Sequence, residues 1–261
     1  MYPKIYFLST YGIMAALGAI TAILLFEKNR AHAHITENES TAIIFIGLVS
    51  GIIGARVYYV IQFYDEFFRY RSIWKIFKIW EGGLVFYGGP LLALLAIFIY
   101  CRHKKISFIS VLDICAPAMA AAHAFGRIGC FLHGCCVSTI TCAHPWGVTY
   151  PAGSEAAAVT GGVAVHPVQL YETLFNILLA LPLFFLARKC RPGAAVGTYM
   201  FSYGIWRFII EYWRNEPKYG QFSSAQYISM GFILAGIILL AVSIFRRKHT
   251  QEEPQASNEE C

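Results

Sequence analysis

Long apolar runs separated by short polar segments dominate the pattern of this chain. Each run approaches the roughly 20 residues that an α-helix needs to cross about 30 Å of hydrocarbon. The runs cover residues 5–26, 41–62, 84–101, 108–127, 168–187, 194–213 and 224–245. Helices are expected because each one satisfies its own backbone hydrogen bonds in lipid. We therefore predict an all-α polytopic bundle of about seven transmembrane helices, which forms one integral membrane domain over residues 1–246.

Two polar segments stand out beside these runs. Residues 128–166 contain several Pro and Gly but no Lys or Arg, and we predict a compact outer, extracytoplasmic head loop there. Residues 247–261 are polar, rich in Glu and without apolar periodicity, which predicts a disordered tail. Lys and Arg are more frequent in the first, third and fifth loops and the tail than on the opposite side. This bias predicts an outside N-terminus and a cytoplasmic C-terminus.

Composition supports the membrane assignment. The 261 residues are 57% hydrophobic and 14% charged, with a mean hydropathy of +0.53, whereas about a quarter of a soluble domain is charged. The net charge of +6 does not form a basic stripe in a soluble domain, so no nucleic-acid partner is expected. We attribute this charge to loop topology and to contact with anionic lipid headgroups.

An arginine stands at the end of the fourth run, in the sequence Gly126-Arg127-Ile128-Gly129. An ionisable side chain at membrane depth is costly and is typical of a functional site. A guanidinium stays charged, and its fork of donors fits a phosphate or a carboxylate. We expect Arg127 to hold an anionic lipid headgroup. Gly126 and Gly129 would allow the backbone to approach closely.

Four polar side chains share one helical face of the sixth run, because they are spaced four, four and three residues apart. They are Tyr203, Arg207, Glu211 and Arg214. Two arginines around a glutamate suit a phosphate headgroup together with a proton acceptor. A structural ion-pair stripe between helices has the same pattern. The outer ends of the fourth and sixth runs can face each other, which would bring this face to Arg127.

Three further motifs add candidate groups. Doubled glycines on both sides of Tyr87, in residues 82–89, indicate either a closely approached helix end with a hydroxyl donor or a packing turn. Tyr11, early in the first run, is a second candidate hydroxyl. Gln169 and Glu172 open the fifth run three residues apart on one face. They are either helix caps or groups that line a site.

Cysteines are concentrated in the predicted head loop. Four of the eight in the chain lie between residues 130 and 142, with His133 among them and His144 just beyond. Their spacing matches no zinc motif, and adjacent cysteines seldom bind one ion together, so we predict no metal. In an oxidising compartment a disulfide is favoured, pairing Cys142 with Cys135 or Cys136. A redox thiol and a metal site are the alternatives.

Taken in order, these motifs resemble those of the prolipoprotein diacylglyceryl transferase family. The matching stretches are residues 54–56, 82–89, 126–131, 166–172 and 207–214. The resemblance implies a seven-helix enzyme of the bacterial cytoplasmic (inner) membrane that needs no cofactor. Such enzymes move the diacylglyceryl group of phosphatidylglycerol onto the lipobox cysteine thiol of a prelipoprotein, and glycerol phosphate leaves. This is the first step of lipoprotein maturation.

The resemblance also implies roles for individual residues. Arg127 would hold the phosphatidylglycerol headgroup, and Arg207 and Arg214 would add positive charge. Glu211 is a candidate base for the acceptor thiol, and an unpaired tyrosine or histidine is the alternative. Further candidates for the catalytic groups are Tyr203, Tyr87 and Tyr11, and for substrate contacts Gly126, Gly129, Cys130, Gln169 and Glu172.

The chain departs from the common family pattern after Arg127. Cys130 stands where many members have Asn, Cys135 where they have Glu, and Ser138 where Gly is usual. Tyr87 stands where many have His. These differences leave a second interpretation open. The chain would then be a family paralogue without transferase activity, acting as a lipid-binding or as a thiol-redox or metal-binding membrane protein.

Overall fold

The computed structural model is mostly helical and describes residues 4–5, 8–68, 73–78, 82–83, 85, 88–189, 191–214 and 217–256. Its helices are α1 (Thr10–Asn29), α2 (Glu37–Gln62), α3 (Tyr64–Phe68), α4 (Gly88–Lys104), α5 (Phe108–His133), α6 (Glu155–Thr160), α7 (Val168–Lys189), α8 (Ala194–Ile210) and α9 (Ser224–Ala256). Single 3-10 turns cover Arg30–Ala33, Ile73–Phe77 and Glu211–Trp213. Two short antiparallel hairpins pair β1 (Lys4–Ile5) with β2 (Leu8–Ser9), and β3 (Lys218–Tyr219) with β4 (Phe222–Ser223).

Five helices in the described part of the chain are long and apolar enough to cross a membrane. They cover Thr10–Ala33, Glu37–Gln62, Phe108–His133, Val168–Lys189 and Ser224–Phe245. Leu24 on α1 and Leu234 on α9 are 65% and 61% exposed, as expected for helix faces that contact lipid rather than water. The chain is therefore a multi-pass membrane protein. Helices α4 and α8 coincide with the other two predicted runs but have 17 residues each, so the count of seven spans stays a prediction.

Some helix boundaries differ from the predicted runs. Helix α1 begins at Thr10 because the residues before it include the β1–β2 hairpin. Helix α5 continues to His133 and ends where Gly134 adopts a φ of 80°, a left-handed value that commonly closes helices. Residues 128–133 are therefore helical and not part of a loop. Helix α9 extends past the apolar segment to Ala256, into residues predicted as a tail.

One compact unit comprises Ala33–Val111. A capping box of Thr36 and Glu39 starts helix α2, which packs on α4 where Gly54 meets Gly88. Small residues at this crossing allow the two backbones to approach. Buried Arg56 in α2 donates to the carbonyl oxygens of Ile76, Gly82 and Gly83 at 2.8, 2.7 and 2.9 Å. Arg56 therefore fixes the segment before α4 against α2.

The other unit comprises Met1–His32 and Leu112–Cys261. Its buried core joins α5, α7 and α8 through the side chains of Ala116, Ala120, Leu179, Leu183, Ala187, Ala195 and Tyr199. Helix α8 packs closely on α9, where a Cβ at Gly236 would lie 2.6 Å from the backbone nitrogen of Phe201. This packing brings the end of α5, the start of α7 and the end of α8 together.

The segment between α5 and α7 has a small core of its own. Tyr150, Ala156 and Val165 are buried together, and Val165 forms β-bridges with Thr141 and Val148. Ser154 caps the N-terminus of α6 by accepting a hydrogen bond from the backbone N–H of Ala157. The segment is therefore folded, while the prediction that it forms a head loop outside the membrane stays a prediction.

Candidate active site

A buried ion pair joins α5 to α7. Arg127 Nε lies 2.7 Å from Glu172 Oε2, and the Glu172 side chain is fully buried. Glu172 stands in the second turn of α7, which starts at Val168 after Pro167. A buried carboxylate is costly unless it is paired. The ion pair with Glu172 therefore stabilises one orientation of the Arg127 guanidinium.

A second arginine connects this pair to the end of α8. Arg214 Nη1 lies 3.6 Å from Glu172 Oε1, and Arg214 Nε lies 3.8 Å from Glu211 Oε2. Glu211 also contacts Arg207 Nη1 and accepts a hydrogen bond from Ser223 Oγ at 2.7 Å. Arginines and glutamates thus alternate through one continuous network, which we call the Arg–Glu network: Arg127, Glu172, Arg214, Glu211 and Arg207.

The charge of the Arg–Glu network favours an anion. Three arginines face two glutamates, so one positive charge is in excess when all five are ionised. The side chains of Arg127 and Arg207 are 15% exposed, whereas those of Glu172 and Glu211 are 0% and 3% exposed. The guanidiniums are therefore more accessible than the carboxylates that hold them. Their N–H donors are of the kind that recognises phosphate or carboxylate groups.

His123 joins the site although it was not among the predicted residues. Its Nε2 accepts a hydrogen bond from Arg127 Nε at 3.2 Å and lies 3.7 Å from Glu172 Oε2. Its ring meets Tyr203 edge-on, with centroids 5.0 Å apart, and the Tyr203 hydroxyl interacts with Arg127. The available sequence signal was the spacing of four residues between His123 and Arg127, which places both on one helix face.

The two predicted glycines occupy different environments within α5. A Cβ at Gly129 would lie 3.1 Å from Met14 Cβ and 3.2 Å from Tyr11 Cδ2. Gly129 therefore allows α1 to approach α5 and places Tyr11 beside the site. At Gly126 the Cβ position has no atom within 4 Å among the residues described. The Cβ position of Gly126, the residue before Arg127 in the sequence, is therefore open.

Gln169 connects α7 to the segment that follows α5. Its Nε2 donates to the carbonyl oxygen of Cys135 at 2.9 Å and to the Tyr150 hydroxyl at 3.2 Å. Burial raises the pKa of Tyr150, and the hydrogen bond with Gln169 opposes that shift. These contacts fix the loop, and the predicted contact of Gln169 with substrate stays a prediction. Tyr87 lies outside the described residues, so its predicted role stays a prediction too.

Three cysteines converge after the last turn of α5. The sulfur atoms of Cys130, Cys135 and Cys136 all lie within 4.8 Å of one another. Hydrogen bonds from the thiols of Cys130 and Cys135 lower the pKa of Cys136, and the charges of Arg214 and Arg127 act in the same direction. The hydrogen bonds to Cys130 and Cys136 raise the pKa of Cys135. We call this group the thiol cluster.

The disulfide predicted for Cys142 is not present. All cysteines in the described part of the chain are free: Cys101, Cys115, Cys130, Cys135, Cys136 and Cys142. Cys142 is buried, and its backbone N–H donates to the carbonyl oxygen of Ala164. The prediction was wrong because the fold directs Cys135 and Cys136 toward Cys130 instead.

Ser138 has a clear structural contact. Its side chain is buried, and its hydroxyl donates to the carbonyl oxygen of Trp213 while accepting the N–H of Ile140 at 3.0 Å. Trp213 directly precedes Arg214. Ser138 therefore ties the loop to the turn that carries one arginine of the Arg–Glu network.

An aromatic cleft of about 550 Å³ adjoins that turn. Its lining includes the rings of Trp146, His166, Tyr171, Trp206 and Trp213. His166 Nδ1 lies 3.1 Å from the Tyr171 hydroxyl. The indole N–H of Trp206 is buried and has no hydrogen-bond partner among the described residues. The cleft therefore offers mainly apolar, aromatic walls.

The fold and the Arg–Glu network define a polytopic helical membrane protein with a buried network of three arginines and two glutamates. A family model described as prolipoprotein diacylglyceryl transferase matches residues 4–242. The chain belongs to that family, which confirms the resemblance seen in its motifs.

Individual relatives are similar along nearly their whole length. Identity is 31% over 241 residues to a phosphatidylglycerol–prolipoprotein diacylglyceryl transferase of Clostridium tetani, covering 91% of this chain and 94% of the relative. A second enzyme with that name, from Geobacter sulfurreducens, is 35% identical over 247 residues and 91% of both chains. The enzyme named transferase 2 of Clostridium perfringens is 33% identical over 254 residues and 96% of both chains.

Proposed function

We propose that this chain transfers the diacylglyceryl group of phosphatidylglycerol to the lipobox cysteine thiol of prelipoproteins, the first step of bacterial lipoprotein maturation. The observation that carries the proposal is Arg127, held by the buried carboxylate of Glu172 within a network that has excess positive charge. Family membership supports the same activity, because the relatives carry this reaction in their names.

The donor's phosphate is the anion that the Arg–Glu network fits. Arg127 would bind a phosphate oxygen, while the open space at Gly126 leaves room for the headgroup. As the bond between the diacylglyceryl carbon and the phosphate oxygen breaks, negative charge grows on the departing glycerol phosphate. Fixed guanidiniums stabilise such charge most effectively when they need no reorganisation. Arg207 and Arg214 would share this role.

The acceptor must become a thiolate, because the thiolate is the nucleophile. Its sulfur attacks the diacylglyceryl carbon that bears the phosphate oxygen. A carbon–sulfur bond forms, the carbon–oxygen bond breaks, and both bonding electrons leave with glycerol phosphate. The thiol proton passes to a base and then to the leaving phosphate.

We assign the base role to His123, whose Nε2 would exchange the hydrogen bond from Arg127 for the thiol proton and, once protonated, would be stabilised by the Glu172 carboxylate 3.7 Å away. Glu211, the base expected from the sequence, has its oxygens engaged by Arg207 and Ser223. Its proposed role is to orient the arginines of the network. Tyr203 and Tyr11 stay candidates for hydrogen bonds to the headgroup, Tyr203 through its contact with Arg127.

The aromatic cleft is proposed to receive the acceptor's signal segment. Its apolar, aromatic walls suit the hydrophobic residues of that segment. We further propose that the enzyme resides in the bacterial cytoplasmic membrane, with its N-terminus outside and its C-terminus in the cytoplasm. The Arg–Glu network would then lie near the outer leaflet.

The direct test uses membranes that contain the protein, phosphatidylglycerol labelled in its acyl chains, and a synthetic lipobox peptide. We expect a thioether-linked label on the peptide together with release of glycerol phosphate. A peptide with Ser in place of the lipobox Cys is the matched control and should stay unlabelled. Absence of label, when a homologous transferase works under the same conditions, would overturn the proposal.

The second candidate is a paralogue that acts through thiol chemistry, and the thiol cluster favours it. A comparison of the wild-type protein with Arg127→Ala separates the two candidates. Loss of lipid transfer in that variant supports the transferase. If the wild-type protein also lacks lipid transfer while its thiol chemistry is intact, the result supports the paralogue.

A further inference from the structure

The transfer reaction proposed above does not use the thiol cluster. We propose that Cys130, Cys135 and Cys136 form a three-thiolate binding site for a divalent metal ion of the zinc group. This site goes beyond lipid transfer, and it departs from the expectation that no metal binds. Thiolates are soft ligands and select soft or borderline ions such as Zn²⁺ or Cd²⁺ over Mg²⁺ or Ca²⁺.

The sulfur positions are compatible with one shared ion. All three Sγ atoms lie within 4.8 Å of one another. A zinc–thiolate bond is about 2.3 Å, so two sulfurs of a tetrahedral site are about 3.8 Å apart. Small rotations about the side-chain bonds of the cysteines close the remaining difference. Three protein ligands leave the fourth position open for water or an exogenous ligand.

The backbone explains how two adjacent cysteines take part. Helix α5 ends at Gly134 with a φ of 80°, and the N–H of Cys135 returns to the carbonyl oxygen of Cys130 at 3.0 Å. Cys136 then adopts a φ of 55°. This left-handed conformation is uncommon for a residue other than glycine and is often kept at functional sites. The bend lets both sulfurs face Cys130 instead of pointing apart.

Nearby charge favours an ion held by three thiolates. A divalent ion with three thiolates keeps one net negative charge, which is costly to bury unless a cation compensates. Arg127 stands one helical turn before Cys130, and both Arg127 and Arg214 act electrostatically on Cys136.

Cadmium titration of the full-length protein in detergent or nanodiscs tests the site. The protein is first reduced, freed of reductant without oxygen, and checked for free thiols. We expect the ultraviolet thiolate-to-cadmium charge-transfer band to saturate at an equimolar amount of Cd²⁺, and Zn²⁺ to displace it. Cys130→Ser and Cys136→Ser should lose the band. Cys142→Ala is the matched control, because Cys142 is a buried free cysteine of the same segment, and it should keep the band.

A second measurement uses only the wild-type protein, so its result does not depend on whether the variants fold. In the wild-type protein, Cd²⁺ should protect Cys130, Cys135 and Cys136 from alkylation, as read by mass spectrometry of peptides, while Cys142 keeps its reactivity. A fully reduced wild-type protein that shows neither a saturable band nor this protection overturns the proposal. A charge-transfer band that persists in Cys136→Ser also overturns the proposal. Neither readout depends on transferase activity, so failure of this site and failure of the proposed reaction are distinguishable.

Discussion

Arg127 Nε and Glu172 Oε2 lie 2.7 Å apart across the contact between α5 and α7. Glu172 is fully buried, whereas the Arg127 side chain keeps 15% of its surface exposed. The carboxylate therefore holds the guanidinium from the protein interior and leaves its outer donors available to a ligand. Because Arg214 contacts the other oxygen of Glu172, a single carboxylate organises two of the three arginines.

Replacing Glu172 by Gln removes this shared charge while keeping the shape of the side chain. Arg127 and Arg214 then lose their common counter-charge and the orientation that it provides. We expect transfer to fall by about a hundredfold or more, as when a preorganised donor is removed from a catalytic site. The control is Glu155→Gln, at an exposed position in α6, which should transfer normally. A Glu172→Gln enzyme with normal turnover would exclude the organising role.

Arg127→Lys tests whether charge alone is sufficient. Lysine keeps the positive charge but lacks the planar fork that contacts a carboxylate and an anion at the same time. We expect transfer to drop by at least about tenfold, with a higher apparent KM for phosphatidylglycerol. Arg102→Lys, at an exposed position in the last turn of α4, is the matched control. Equal kinetics for the two variants would contradict direct headgroup recognition by Arg127.

His123→Gln tests the proposed base. Glutamine can still accept a hydrogen bond from Arg127 but cannot take up a proton at neutral pH. Loss of a general base typically costs about a hundredfold or more in turnover, so we expect kcat to fall with little change in the KM for lipid. His133→Gln, at the exposed end of α5, is the control. If kcat is retained in His123→Gln, a group other than His123 accepts the thiol proton.

Much of the site was accessible from the sequence because helical spacing is regular. Intervals of three and four residues predicted the contacts of Glu211 with Arg207 and Arg214, although α8 ends at Ile210 and Glu211 begins a 3-10 turn. Spacing on one helix does not determine which residue of another helix is its partner. Gln169 and Glu172 share a face of α7, yet the first contacts the loop and the second contacts Arg127. That difference arises from tertiary packing.

The glycines of α5 and the cysteines that follow it show a second limit of prediction from sequence. Gly126 and Gly129 were expected to allow a close backbone approach, and Gly129 does so toward α1, whereas the Cβ position of Gly126 has no atom within 4 Å among the described residues. The convergence of the Cys135 and Cys136 sulfur atoms depends on the left-handed φ of Cys136. Residue type alone does not reveal that conformation, because it is uncommon for cysteine.

The same substitution should have opposite effects on stability at Gly126 and Gly129. Alanine at Gly126 meets open space and should stabilise α5 by about 0.5–1 kcal/mol, as Gly→Ala does within helices. Alanine at Gly129 places a Cβ 3.1 Å from Met14 Cβ and should destabilise the contact with α1 by about 1 kcal/mol or more. Thermal unfolding in detergent should therefore rank Gly126→Ala above wild type and Gly129→Ala below it. The reverse order would contradict the described packing.

Gly126→Ala also reports on the donor. If the open space at Gly126 holds the headgroup, the added methyl group should raise the KM for phosphatidylglycerol although the protein is more stable. A more stable variant with an unchanged KM would show that the space at Gly126 is not used by the lipid. The stability measurement and the KM therefore separate packing from substrate contact.

Ser138→Ala tests how the loop positions Arg214. The substitution removes the buried hydroxyl that donates to the Trp213 carbonyl oxygen, and we expect a loss of about 1–2 kcal/mol in stability, because a buried acceptor is left unpaired. The turn that carries Arg214 should loosen and transfer should decrease. Ser154→Ala is the matched control. It removes the N-cap of α6 and should cost about 1 kcal/mol without reaching Arg214. Thermal unfolding and transfer rates are measured for both variants. If Ser138→Ala loses no more activity than Ser154→Ala at equal loss of stability, Ser138 does not position Arg214.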